Sequence, residues 1–353
     1  MKQFKVPSSK FKVNRSTCSF SLLTLYVLLL TVLMSCSPKK ESIYRKTMIQ
    51  MDTLVTINVV AESGEKADMA MGKAFGEIDK LGASLSFFSD EGDLSSINRN
   101  AGIGPVRVSP DTMEVIERAV LTSERTGGAF DVTVGPEISL WDFAAKQKPD
   151  DGKIRERLGL VNYQWITLDK KESTVELGRK GMLMDLGAVA KGFAADRAVE
   201  ELKKNGIKSG LVAVAGDIRA FGLKPDVKPW RVGIRNPRQK GKDDELVATV
   251  ELRDMAISTS GDYERYFVMD GKRYHHILDP RTGYPAEGCR SVTVMATDGV
   301  SADSFSTAVF VLGPEKGMEV LRRMGFEGLI IDKEGNMTTT AGMKDAIEFQ
   351  RSN

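Results

Sequence analysis

Residues 210–269, GLVAVAGDIRAFGLKPDVKPWRVGIRNPRQKGKDDELVATVELRDMAISTSGDYERYFVM, decide the fold class. Gly210–Ala215 is a short apolar run with the length of a buried strand. Trp230–Arg235, Leu246–Leu252 and Tyr263–Met269 follow as further strands, rich in β-branched and aromatic residues. No helical period separates them. Strands met in succession argue for an α+β fold with mixed sheets and helices, not a doubly wound parallel sheet. No G-x-G-x-x-G follows a strand, so a dinucleotide would not be held in the Rossmann manner.

Outward from this stretch, strands and helices alternate. Leu54–Ala61 reads as a strand and Glu65–Leu85 as a helix. Pro110–Arg125 is a second helix, with Ser109 as N-cap and Gly127-Gly128 as a stop. Ala188–Asn205 is a third, ended by Gly206. Val292–Ala296 is a strand, and Ser301–Val311 and Glu315–Met324 are helices. Gly328–Asp332 and Met337–Thr340 form a hairpin around Glu334-Gly335-Asn336. No composition break interrupts residues 49–350, which are expected to form one domain.

The N-terminus reads as an export signal. A basic stretch precedes the apolar run Phe20–Met34, too short for a comfortable transmembrane helix. The run ends in Leu33-Met34-Ser35-Cys36, similar to a bacterial lipobox. Residues 1–35 are therefore expected to be a lipoprotein signal peptide, with Cys36 lipidated and residues 36–48 a polar tether. The protein would sit anchored in a membrane on its periplasmic, extracytoplasmic side. Removing the five basic residues of 1–35 leaves 45 basic against 48 acidic residues, a net charge of −3. A slightly acidic body without a basic stripe gives no support to nucleic-acid binding. Apolar content of 41% and charged content of 28% argue against wholesale disorder. Cys289 is left without a disulfide partner once Cys18 and Cys36 are assigned to the leader and the lipid; it reads as structural. There is no Cys/His cluster of the kind that binds zinc.

Four segments are richer in Gly, Asp, Thr and His than packing requires. Gly128–Pro136, GAFDVTVGP, suits a turn that clamps a flat ligand, or an ordinary helix-to-strand turn. Met184–Gly192, MDLGAVAKG, runs from a strand into a helix start, where free N–H groups and Lys191 favour an anion. Asp185 there suits a hydrogen-bond donor or a cation, or is simply an N-cap. Tyr274–Gly283, YHHILDPRTG, holds both histidines of the chain, a proton shuttle or a turn-bracing pair. Ser301–Ala308, SADSFSTA, places Asp303 and Thr307 four apart on one helical face. Their oxygens suit Mg2+, which takes its remaining ligands from water and phosphate; the plainer alternative is a capping Asp and a core Thr.

In this order, the segments resemble the ApbE family, the FAD:protein FMN transferases. The resemblance runs from about Met51 to Thr340. It includes Met51-Asp52-Thr53, the stretch Ser86 to Asn98, GAFDVTVGP followed by Leu140-Trp141, MDLGAVAKG, AVAGDIRAFG, AISTSGDYERYF, HILDPRTG and ADSFSTA. Three positions depart from the family pattern: Asp52 for a usual Gly, Asp142 after Trp141, and Ala215 for the first Gly of Gly-Gly-Asp.

The resemblance implies FAD contacts at Met51, Phe88, Ala129, Phe130, Asp131, Asp185, Lys191 and Ile277. It implies Mg2+ ligands at Asp303, Thr307 and the carbonyl of Ala188. Gly216-Asp217 would shape the site, and His276 would be the catalytic base. The implied reaction moves FMN from FAD to a Ser or Thr hydroxyl of an exported target protein and releases AMP. A fitting target would be a domain of a membrane electron-transfer complex. Two alternatives share these motifs: a pyrophosphatase that splits FAD to FMN and AMP with water, and a non-catalytic periplasmic FAD-binding lipoprotein. Storage needs neither a metal site nor a base, which disfavours the last.

Overall fold

The computed structural model of the protein describes residues 41–238 and 245–350. The expected signal peptide, Cys36 and the start of the expected tether lie outside the described residues. Strand β1 (Ser42–Gln50) pairs antiparallel with β2 (Thr53–Ala61), from Ser42↔Ala61 to Gln50↔Thr53. The stretch 42–50 is thus a strand rather than part of a tether. Its polar look comes from its position: an edge strand is half-solvated, and charges such as Arg45 and Lys46 protect an edge from stray pairing.

Along the chain follow α1 (Gly64–Leu85), α2 (Asp93–Arg99), β3 (Val106–Arg107), α3 (Pro110–Arg125), α4 (Gly135–Ile138) and α5 (Asp151–Leu158). Then come β4 (Ile166–Asp169), β5 (Thr174–Leu177), α6 (Ala190–Lys204), β6 (Gly210–Val214), β7 (Asp217–Phe221), β8 (Trp230–Arg235), β9 (Leu246–Leu252) and β10 (Ala256–Gly261). The rest is β11 (Tyr266–Met269), β12 (Lys272–His275), β13 (Cys289–Ala296), α7 (Gly299–Leu312), α8 (Pro314–Met324), β14 (Glu327–Asp332), β15 (Met337–Thr339), α9 (Ala341–Ala346) and β16 (Ile347–Phe349). Most expected elements are present. Ser109 caps α3, accepting from the Thr112 N–H at 3.3 Å. Two elements differ. The helix expected from Ala188 begins at Ala190, after a turn in which Val189 and Ala190 both donate to the Leu186 carbonyl. The strand expected over 263–269 is shorter, while Ala256–Gly261 forms a strand of its own.

Eight strands form one sheet in the order β1-β2-β6-β7-β10-β13-β14-β15, with every pairing antiparallel. Side-chain alternation divides its two faces. Val55, Ile57, Val59, Val212 and Val214 point to one face, into a core shared with α1 and α6. Val292, Val294 and Ile330 continue that face beneath α7 and α8. Val60, Leu211, Ile257, Met295, Leu329 and Ile331 point the other way, against Trp230, Val232, Val250 and Leu252 of the three-stranded sheet β8-β9-β16. The result is the expected α+β architecture, with helices on one face and a small sheet on the other. Cys289 is buried, and burial pushes its thiol up to about 12, so it stays protonated and inert. Among the described residues no helix is long and apolar enough to cross a membrane.

Candidate active site

Helices α6 and α7 cross at two glycines. A Cβ on Gly192 would stand 2.2 Å from the Gly299 carbonyl oxygen, and one on Gly299 would stand 2.4 Å from that of Gly192. Only glycine at both positions lets the backbones meet. Asp196 fixes the crossing by accepting from the Gly299 and Val300 N–H groups at 2.8 and 2.9 Å. Asp298 caps α7 through the Ser301 N–H and is held by Arg118 at 2.7 Å.

This close approach places Asp303, buried on α7, against the start of α6. Its Oδ2 accepts from the Gly192 N–H at 2.9 Å and lies 3.8 Å from Lys191 Nζ. The regular helical partner of the Gly192 N–H would be the Ala188 carbonyl, which is therefore released from that bond. Lys191 Nζ donates to Asp217 Oδ2 at 2.5 Å, and Asp217 Oδ1 accepts from Ser258 Oγ at 2.5 Å. Ser260 Oγ lies 2.8 Å from Ser306 Oγ and 3.0 Å from Thr307 Oγ1. Burial alone would push the Lys191 ammonium down, but Asp217 and Asp303 outweigh it and hold the pKa up, so the lysine stays charged. Burial and then the charge of Asp217 push the Asp303 carboxyl up.

The two histidines differ. His275 Nε2 bonds the Ala286 carbonyl at 2.9 Å, and its Nδ1 accepts from the Ile277 N–H at 3.3 Å. Both its nitrogens are used to hold the turn. His276 donates its backbone N–H to the Arg265 carbonyl at 3.1 Å, while its Nδ1 is buried without a hydrogen-bond partner. Burial, and then the charge of Arg265, lower the His276 pKa to about 3, so the imidazole is neutral with an open lone pair or N–H.

The remaining segments are tied to one another by backbone and side-chain contacts. The Asp185 N–H donates to the Val132 carbonyl at 2.7 Å, and Asp185 Oδ1 accepts from the Gly187 N–H at 2.6 Å. Ala129 and Ile277 share one apolar cluster with Phe305, and Trp141 Nε1 donates to the Gly283 carbonyl at 3.1 Å. Asp131 is fully engaged by Thr133 and Tyr163, so it builds a turn. It also lines a cavity of about 530 Å3 together with Gly128, Asn162, Tyr163, Pro280 and Arg281. The side chain of Phe130 is buried in the main core. Met51 occupies the β1–β2 turn at φ +50°, next to Gly82. Phe88 is 78% exposed and meets Phe87 edge-on. The structure therefore gathers Lys191, Asp217, Asp303 and, through Ser260, Thr307, while Phe88 stays in solvent. Ser258, Ser260 and Arg265 were not singled out from the sequence. Ser258 and Ser260 carried one legible sign, since residues two apart on a strand share a face.

Hard oxygens, a charged lysine and an unpartnered neutral imidazole define a site for polar group transfer. The chain belongs to the ApbE family, whose sequence profile matches residues 51–330. A FAD:protein FMN transferase of Treponema pallidum (strain Nichols) is 34% identical over 352 residues, spanning 94% of this chain and 97% of that protein. One from Klebsiella pneumoniae (strain 342) is 38% identical over 236 residues, 66% of this chain and 72% of the relative. The ApbE protein of Thermotoga maritima has a similar structure, with a TM-score of 0.79 at 33% identity, covering 86% of this chain and 99% of the other. The apo form of the Pseudomonas stutzeri flavinyl transferase ApbE gives 0.77 at 30% identity, covering 87% and 97%.

Proposed function

We propose that this protein transfers the FMN moiety of FAD to a Ser or Thr hydroxyl of a target protein and releases AMP. The observation that carries this reading is half-buried Lys191 bound to the buried carboxyl groups of Asp217 and Asp303, together with an imidazole, His276, whose Nδ1 has no partner. In the reaction the acceptor oxygen forms a bond to the FMN-side phosphorus. The bond from that phosphorus to the AMP oxygen breaks, and His276 takes the hydroxyl proton. Such a proton transfer is typically worth ~10²–10⁴ in rate. The helix dipole at Ala190 adds positive potential for an anion, although the Ala190 and Gly192 N–H groups are already engaged by Leu186 and Asp303. The 530 Å3 cavity has room for part of a flavin dinucleotide.

The donors also fit a magnesium ion. Asp303 and Thr307 are one turn apart on α7, and the Ala188 carbonyl is released by the turn of the Gly192 N–H toward Asp303. Among the described residues no three His, Cys, Asp or Glu side chains form a cage. When held by Asp303, Thr307 and the Ala188 carbonyl, Mg2+ would supply positive charge to offset the charge that grows on the leaving oxygen. The lipobox at Cys36 supports a lipid-anchored enzyme on the periplasmic side, acting on exported domains of a membrane electron-transfer complex.

The test is mass spectrometry of Ser/Thr-containing acceptor peptides from such a complex, incubated with the protein, FAD and Mg2+. The expected result is a gain of one FMN minus water, lost on chelation. Free FMN and AMP with every peptide unmodified would replace transfer by hydrolysis. Intact FAD would leave only a binding protein.

A further inference from the structure

The site holds more negative than positive groups that are free to act. Asp185, Asp217 and Asp303 contribute three carboxyl groups, and the charge of Lys191 is already engaged by two of them, at 2.5 and 3.8 Å. With the two charges of a pyrophosphate added to these carboxyl groups, Mg2+ and Lys191 together still leave a surplus of negative charge that a further cation can offset. Arg265 is such a cation. It is placed across the β11–β12 hairpin from His276, whose N–H its carbonyl accepts at 3.1 Å. Its side chain is exposed and makes no ion pair or hydrogen bond among the described residues. Residues paired across a hairpin send their side chains to the same face, so the Arg265 guanidinium and the His276 imidazole share a side. Nearby arginines are committed elsewhere: Arg238 to Asp262 at 2.5 Å, and Arg281 to Asp279 at 2.7 Å.

We propose that Arg265 binds the pyrophosphate of the flavin dinucleotide, as a cation without a protein partner among the described residues beside the His276 turn. This rests on the reading of the protein as an FMN transferase. A planar guanidinium offers two parallel N–H donors to a phosphate, which the point charge of a lysine cannot match. The same contact would stay in place as charge shifts toward the leaving phosphate, so Arg265 would act in both binding and turnover.

The test compares wild type, Arg265→Ala and Arg265→Lys by equilibrium titration of the full chain with FAD and with riboflavin, which has the same ring and no phosphate. Flavin fluorescence is the readout, in the presence of Mg2+. The expected result is an FAD dissociation constant about tenfold or more higher in Arg265→Ala, with partial recovery in Arg265→Lys and no change for riboflavin. FAD binding unchanged in Arg265→Ala would overturn the assignment. So would an equal loss for FAD and riboflavin, because that marks a structural role. A wild type that binds FAD no more tightly than riboflavin would instead take down the transferase reading, and this inference with it.

Discussion

Strands β10 and β13 lie side by side beneath α7, yet their shared face changes character from one to the other. Ser258 stands directly across from Val294, and Ser260 across from Val292. The two valines are fully buried among Phe305, Val309 and Phe310 of α7. The two serines meet Asp217, Ser306 and Thr307 instead. Polar groups under a helix cost stability unless each finds a partner. Here the hydroxyls and carboxylates satisfy one another, so the polar half can be buried beside the apolar one. The valines hold α7 on the sheet, and the serines hold the groups that α7 presents.

The comparison can be broken at several depths. Asp303→Ala removes the carboxylate that receives the Gly192 N–H and faces Lys191. Metal-dependent transfer is expected to fall by roughly 10³-fold or more, measured as the initial rate of acceptor modification. Circular dichroism is expected to report a folded protein, because the aliphatic half of α7 is untouched. A rate close to wild type would remove Asp303 from the machinery.

Ser258→Ala makes β10 resemble its neighbour more closely. Asp217 loses one donor but keeps Lys191, so transfer is expected to drop about tenfold, the value of one hydrogen bond to a charged group. Thermal unfolding should move little. A large loss of melting temperature with full activity would mean that the serine serves packing alone.

The smallest effect sharpens the picture at the rim. Ala215 precedes Gly216 in the two-residue β6–β7 turn and adopts φ +54°, and Asp52 in the β1–β2 turn adopts φ +56°. Both stand where the family pattern has glycine. A non-glycine residue in this region costs about 1–2 kcal/mol, against roughly 0.5–1 kcal/mol for the greater freedom of unfolded glycine. Ala215→Gly is therefore expected to stabilise by a few tenths to about 1 kcal/mol in denaturant titration. Asp52→Gly should gain less, because aspartate visits this region more readily than alanine. A destabilised Ala215→Gly would show that the turn is unstrained.

Much of this was legible in the sequence, for physical reasons that differ by element. Helix α3 announced itself by a capping Ser109 and stopping glycines, and the β14–β15 hairpin by its Glu-Gly-Asn turn. Strand β1 was hidden because an edge strand has the composition of a linker. Strand β10 was hidden because its inward positions are serines, and a strand whose inner face is polar shows no apolar alternation. Asp303 and Thr307 could be paired from helical spacing alone. The engagement of Lys191 by Asp217 could not, because it joins residues 26 apart through tertiary packing. Nor could the division of labour between His275 and His276, which depends on which nitrogen finds a partner.

The measurement that bears most directly on the account is the transfer assay with His276→Ala, read as the intact mass of the acceptor over time. The account predicts that the FMN adduct appears ~10²–10⁴-fold more slowly than with wild type, the value of a lost general base. An adduct that forms at the wild-type rate would contradict it, and would leave the unpartnered nitrogen of His276 without a part in the chemistry.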